Sequence, residues 1–475
     1  MMLKMKYYWI ITIFILIQLF LSACATFPYY SHYNVKADPQ KKITHKPKAP
    51  SGAYLASEDV QWEVDWQCRN NWQFDKNTMF FNPIDACPKN DNNFIGIAIS
   101  GGGSRSAVFS AAVFFELERY GILQQVDVIS SVSGGSFTAA YYVLSCDDAR
   151  NCPPTVEGPD RFKWDPKDVF PKLERNFIAR WISNSFWIEN IVRYWLTYYD
   201  RTDVMVETIA DNLYDNSLLG GKGFRFQDLN PQRPYLIINA TNNTENVSET
   251  RIFSFTRQHF DELQSSLDRY PIANAVMASS AFPAVFQSVT LKDFSKKDDQ
   301  YVHLFDGGAS DNLGISSLRE ILERNNDSDS KKLIILIDAY NPTHGKNPRD
   351  PNPRSFIDYF VDTNFLDAYE TLMAELRHGK TNELQKWLEE NNGKLVHLQF
   401  SDLKENHPEL YETVKKIETN LYIKRNEAAC LKHAARILVR EKMDELRNNS
   451  LWEGLIQFPP RKGYELQPCT TKREK

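Results

Sequence analysis

The sequence predicts an α/β fold: a mostly parallel β-sheet sandwiched between helices, with a mainly helical C-terminal extension. Two segments read as strand, glycine turn and helix, one from Phe94 to Gly121 and one opening at Val126. Two further apolar runs, Tyr235 to Asn239 and Lys332 to Asp338, have the uninterrupted pattern of strands buried on both faces. Strands alternating with helices imply a parallel sheet covered on both sides. With 475 residues and 42% hydrophobic content the chain can bury one large core or two.

At the N-terminus, Lys4 and Lys6 precede an apolar run from Tyr7 to Leu21 that closes on Leu21-Ser22-Ala23-Cys24. Fifteen residues rise only ~22 Å against a hydrocarbon core of ~30 Å, so residues 1–23 are expected to be a signal peptide and not a membrane span. The L-S-A-C sequence resembles the bacterial lipoprotein cleavage site, which implies that Cys24 becomes the acylated first residue of the mature protein. Ala25, where inner-membrane retention would call for aspartate, favours the outer membrane of a bacterial envelope. The competing reading is an ordinary cleaved signal peptide with a coincidental cysteine. Residues 24–55 are polar, carry Lys36, Lys41, Lys42, Lys46 and Lys48, and read as a flexible tether.

Phe94 to Ile99 is a buried-strand run leading into Ser100-Gly101-Gly102-Gly103-Ser104-Arg105, after which Ala107, Val108, Ala111, Phe114 and Phe115 keep helical spacing. Consecutive glycines at a helix N-terminus present backbone N–H groups to a phosphate or to a developing oxyanion. The run lacks G-x-G-x-x-G and has no Lys-Ser/Thr behind its glycines, so the dinucleotide and P-loop fingerprints both fail. A turn permitting tight helix–strand packing is the plainer alternative.

Next, Val126, Val128, Ile129 and Val132 favour a strand, and Ser131-Val132-Ser133-Gly134-Gly135 forces a sharp turn into a helix. That is the layout of a nucleophile elbow with Ser133 at its apex and Ser131 in place of the usual first glycine. A loop serine or helix N-cap has the same local appearance. Tyr301 to Phe305 then alternates like a strand and ends in Asp306-Gly307-Gly308, followed by Ala309-Ser310-Asp311-Asn312-Leu313-Gly314. Read alone, it is a plain Asp-Gly turn.

In this order the three pieces resemble the patatin-like phospholipase family, whose members carry a glycine-rich oxyanion loop with a following arginine, a serine elbow and a D-G-G or D-A-G aspartate. The resemblance runs from about Phe94 to Pro342, just over half the chain, and includes Asn274 to Pro283, similar to the family's A-S-x-A-x-P segment. It implies a Ser–Asp dyad, with Ser133 as nucleophile and Asp306 as base, and an oxyanion hole from Gly101, Gly102 and Gly103 with Arg105 in the arginine position. Ser100 stands where the family often has aspartate, and Ser106 where it often has glycine. The implied layout is a patatin-like catalytic domain over residues 90–345 with a helical extension over 346–475. No cofactor and no metal is expected.

A free aspartate, with a pKa of about 3.9, is a weak base for a hydroxyl, but a closed site desolvates the carboxylate and raises its basicity. A histidine is then unnecessary. Of the nine, His303 lies nearest Asp306 in sequence, but on an alternating strand it points to the opposite face and reads as structural. Six cysteines follow Cys24, and an even count in an exported protein suggests disulfides; fifteen pairings are possible, and Cys146 with Cys152 is the pair expected.

The net charge of −5 gives no support for nucleic-acid binding. Aromatic residues crowd into residues 177–199; a stripe at this spacing reads as core, with a lipid-facing lid as the alternative. The function expected is a membrane-anchored serine acyl hydrolase of phospholipids or lysophospholipids. Its expected partners are its lipid substrate and the bilayer that holds Cys24. A non-catalytic envelope lipoprotein with this fold, or an acyltransferase using the same dyad, are the alternatives.

Overall fold

The computed structural model describes residues 32–37, 72–75, 80–83, 93–146, 163–214, 223–230, 233–244, 251–283, 285–324, 331–341, 363–449, 452, 455–456 and 459–470. The signal peptide, Cys24 and most of the tether lie outside them.

β1 (Trp72–Asp75) and β2 (Phe80–Pro83) form a separate antiparallel pair. β3 (Asn93–Ile99), α1 (Gly103–Arg119), β4 (Val128–Val132) and α2 (Gly134–Leu144) are the two expected strand–turn–helix units. Four helices follow: α3 (Pro166–Leu173), α4 (Phe177–Ser185), α5 (Ile188–Leu196) and α6 (Arg201–Leu213). Next come β5 (Tyr235–Asn242), β6 (Ile252–Ser254), α7 (Ile272–Ser280), β7 (Val289–Asp293), β8 (Gln300–Asp306), α8 (Ile315–Arg324) and β9 (Lys331–Asp338). The C-terminal region contributes α9 (Thr363–Glu390), β10 (Gly393–Gln399) and α10 (Arg425–Arg447).

The main sheet runs β10-β9-β3-β4-β5-β8-β7, with β6 on β5. Pairing is parallel from β10 to β5 and antiparallel for β6, β8 and β7. Alternation along the strands divides the core in two. Ile95, Ile97 and Ile99 of β3 and Leu333, Ile335 and Ile337 of β9 face the side covered by α1, α2, α7 and α10. Ala98, Ile334 and Leu336 face the opposite layer of α8 and α9. At these central strands apolar residues are needed on both faces, hence the continuous apolar runs.

The C-terminal region is built into this sheet. Its helices are joined by β10, which extends the sheet in register from Gly393↔Lys332 to Gln399↔Asp338. Helix α10 lays Ala434, Ala435 and Leu438 against the α1 layer, and Arg436 reaches the buried Glu116 carboxylate at 2.7 Å. A Cys430–Cys469 disulfide fastens the tail to α10. Cys146 is also disulfide-bonded, and Cys152, the partner expected for it, lies outside the described residues.

The structure corrects one expectation of burial. Of α4 only Phe177 is buried, and α5 buries none of its residues. The aromatic segment is mainly surface and not core, because helical spacing is the same whichever medium the apolar face meets.

Candidate active site

β4 is buried throughout and delivers Ser133 at its C-terminal end, where ligand sites form in open parallel sheets. Ser133 has φ 50 and ψ −126, a sparsely populated conformation for a residue with a side chain. Helix α2 begins at the next residue. A Cβ on Gly134 would lie 2.0 Å from the Gly103 carbonyl oxygen, so glycine is needed there for the elbow and the glycine loop to meet. Strain of this kind costs ~1–3 kcal/mol and persists when its surroundings over-determine it. Here the Ser133 N–H donates to Ser279 Oγ at 2.8 Å, and Ser279 Oγ donates to the Asn239 carbonyl at 2.6 Å. Ser279 thus ties the elbow to β5. Ser279→Ala leaves a buried donor and a buried acceptor unpaired and should destabilise the protein by about 2 kcal/mol, measured by urea unfolding. Any ester-hydrolysing activity should fall with it.

Asp306 reaches Ser133 through sheet register. Val132 pairs with Asn239, which sets Ser133 level with Ala240, and Ala240 pairs with Asp306. The two backbones are two strands apart, about 10 Å, a gap that the two side chains span. Ser133 Oγ donates to Asp306 Oδ2 at 3.2 Å. The other carboxylate oxygen accepts the Gly308 N–H at 2.7 Å, and Thr241 Oγ1 donates to the Asp306 carbonyl at 2.8 Å. Burial pushes the Asp306 carboxyl up to about 6, against the opposing pull of the Gly308 amide and the Ser133 hydroxyl.

The glycine loop crosses directly beside the elbow. Gly102 and Gly103 take φ of 140 and 57, accessible at little cost only to glycine. A Cβ on Gly103 would also meet the Asn420 carbonyl oxygen at 2.2 Å. The loop's outer amides are engaged: Gly101 N–H donates to Asn312 O at 2.9 Å, and Ser104 N–H to Asn420 O at 2.7 Å. Among the described residues the amides of Gly102 and Gly103 have no acceptor. Of the three amides expected from the sequence to face an oxyanion, that of Gly101 is thus engaged within the protein, where it holds the loop in place. Arg105 is buried, lies beside Gly102, and donates from Nη1 to the Ile417 carbonyl at 2.7 Å, tying the loop to the C-terminal region. Ser100 Oγ accepts the Ala339 N–H at 2.9 Å, and Ser106 Oγ donates to the Ser100 carbonyl at 2.6 Å. Both departures from the family pattern serve to brace the loop.

His303 pairs with Thr290 at 3.2 Å, and burial holds its ring below the usual histidine range. A histidine–carboxylate pair, His397 with Asp338 at 3.0 Å, lies on β9 and β10, away from the elbow on β4. Burial alone would raise Asp338, but Arg377 and His397 outweigh it and hold the carboxyl at about 2. Sequence reading missed Ser279 and Asn312 as positioning residues. Both lay inside quoted motifs, the first in A-S-x-A-x-P and the second after D-G-G.

Residues 97–319 match the model of the patatin-like phospholipase family. No curated protein matches the chain. Among solved structures, human GIVD cytosolic phospholipase A2 in complex with methyl gamma-linolenyl fluorophosphonate is 14% identical with a TM-score of 0.45, the match covering 85% of this chain and 64% of that one. The same human enzyme with that inhibitor and terbium chloride is 13% identical with a TM-score of 0.44, the match covering 85% and 65%. VipD from Legionella pneumophila is 11% identical with a TM-score of 0.32, over 74% of this chain and 67% of that one. The chain thus spans a little under two thirds of these two human phospholipase chains and about a third of the chain in another structure of the same enzyme.

Proposed function

We propose, from the patatin-like phospholipase domain that this chain carries over residues 97–319, that it is a serine acyl hydrolase of lipid esters, phospholipids or lysophospholipids. The observation that carries the reading is the 3.2 Å hydrogen bond from Ser133 Oγ to Asp306 at the tip of a strained elbow. As Ser133 Oγ attacks an ester carbonyl, its proton passes to Asp306 Oδ2. The Gly102 and Gly103 amides stabilise the oxyanion, each donor contributing about 3–4 kcal/mol. Asp306 then protonates the departing alcohol. In the second half-reaction Asp306 takes a proton from water, which attacks the acyl-serine, and returns that proton to Ser133 Oγ as the acyl–oxygen bond breaks and the fatty acid leaves. Its buried carboxylate is basic enough for both steps and is still ionised at neutral pH. Labelling of the purified full-length protein by a fluorophosphonate probe, together with fatty-acid release from phospholipid vesicles, tests the proposal. Failure of both would end it.

Acylation of Cys24 in a bacterial envelope is part of the same proposal. Its support is the L-S-A-C sequence and the Cys430–Cys469 disulfide, a bond that persists in oxidising compartments. The wild-type protein is expected to incorporate labelled fatty acid and to stay with membranes through a salt wash, since two acyl chains hold stably where one is marginal. Cys24→Ala should take up no label and mature differently. Wild-type protein without label, or an unchanged mature band in the variant, would make it a soluble exported hydrolase.

A further inference from the structure

Helix α5 is amphipathic in the reverse sense for a protein surface. Two of its polar side chains turn inward, while Glu189 in its first turn is exposed: Arg193 Nη1 donates to Glu207 Oε1 of α6 at 2.7 Å with its guanidinium 3.9 Å over the Tyr199 ring, and Asn190 Nδ2 donates to the Asn184 carbonyl at 2.9 Å. Its apolar stripe, Ile188, Ile191, Val192 and Trp195, faces out at the spacing of a core face. The turn before it and its first residue are more exposed still, with Phe186 at 74%, Trp187 at 66% and Ile188 at 80%. Soluble surfaces expose single apolar residues routinely, but contiguous patches mark a partner.

Two observations say what covers this patch. The first is its connection to the active site. Phe177 at the start of α4 packs edge-on against Phe137 of the elbow helix at 5.6 Å. Consecutive carbonyls, Asn420 and Leu421, accept the Ser104 N–H of the glycine loop and the Phe177 N–H of α4 at 2.7 and 3.1 Å. The second is the path of the chain from the N-terminus. Tyr33 Oη donates to Asp203 of α6 at 3.0 Å, one helical turn from the Glu207 that holds α5, so both are seated on one flank of α6. Cys24 is eight residues before His32, a reach of at most ~28 Å. An acylated Cys24 therefore keeps a bilayer within that distance of the flank that carries the patch.

We infer that the α4–α5 unit docks on the bilayer surface, with Phe186, Trp187 and the outward stripe of α5 entering the headgroup–acyl boundary. Aromatic and aliphatic residues on a helix that turns Asn190 and Arg193 to the protein suit that layer, where the exposed Glu189 can stay at headgroup level. Docking there brings the glycine loop and Ser133 to the lipid. The inference deepens the lipid-ester reading and rests on it, but its test has an arm that does not.

The test compares the full-length protein with a Phe186→Ser/Ile188→Ser/Ile191→Ser variant, which keeps Trp187 and Trp195 as reporters. Wild-type tryptophan fluorescence should be quenched by phosphatidylethanolamine–phosphatidylglycerol vesicles with brominated chains, and the variant should lose most of that quenching. Phospholipid hydrolysis in plain vesicles should fall at least ~10-fold, equivalent to about 1.4 kcal/mol. Hydrolysis of a monomeric short-chain ester should stay within about two-fold, because the substituted residues do not pack on Ser133 or Asp306. If the wild type hydrolysed neither substrate, the hydrolase reading would fail while quenching still reported docking. Absent quenching in the wild type overturns the inference. So does an equal loss of both activities, which would make the patch structural, or a wild-type dimer that the variant dissolves with its vesicle rate unchanged, which would make the occupant a second copy.

Discussion

Ser133→Ala is expected to abolish fluorophosphonate labelling and to lower ester hydrolysis by ~10⁵-fold or more, the scale of loss when a serine nucleophile is deleted. The fold should survive. Alanine at 133 meets the same backbone strain as serine, since the φ of 50 opposes any Cβ. The contacts that hold the elbow come from elsewhere, from Ser279 Oγ on the 133 N–H and from the Ser133 carbonyl, which accepts the Ser136 N–H at 2.8 Å. What is lost is the donor to Asp306, a contribution of about 1 kcal/mol, and Asp306 moves further up without it. Unfolding midpoints close to wild type beside complete loss of labelling would locate the defect in chemistry. Normal labelling of the variant would remove Ser133 from the mechanism.

Much of this site was legible because its pieces are local. A strand ending in three glycines, a strand ending in a serine between small residues and a strand ending in D-G-G each specify their own turn chemistry within about ten residues. Alternation along Tyr301–Phe305 also separated His303 from Asp306, and the structure sets them on opposite faces of β8. What escaped the sequence depends on long-range partners. Gly101 looks like its neighbours until Asn312, over two hundred residues on, takes its amide. Ser279 is one of two adjacent serines, and only the approach of β5 and the elbow decides which of them bonds to Ser133. Gly103 needs its missing side chain because Asn420 of the C-terminal region crosses over it. The stripe on α5 has core spacing and lies outside, since periodicity records a face and not the medium it meets.

Asp306→Asn should cost at least ~100-fold in turnover, the lower end for loss of a general base. The substitution keeps the shape: Asn Oδ1 can still accept the Gly308 N–H, while the Nδ2 group in place of Oδ2 donates to Ser133 Oγ and reverses the bond that carries the proton. His303→Gln and His397→Gln should leave turnover near wild type, since neither side chain bonds to the dyad. If either proved as inactive as Asp306→Asn, the base would be a histidine. The pH profile follows from the same carboxyl. With its pKa raised by burial to about 6, the wild-type rate should be flat above that pH and fall about tenfold per unit below it, as the carboxylate takes up its proton. Stability runs the other way. A pKa raised from 3.8 to about 6 means that the folded state holds its proton more tightly than the unfolded chain, so folding loses stability as pH rises through this window. Above it the buried charge costs on the order of 3 kcal/mol. Asp306→Asn removes that charge, so the inactive variant should unfold at higher denaturant concentration than wild type at pH 8 and lose that advantage near pH 4. An unchanged midpoint at pH 8 would mean that the carboxylate is already compensated where it lies, and the argument for its raised basicity would fall with it.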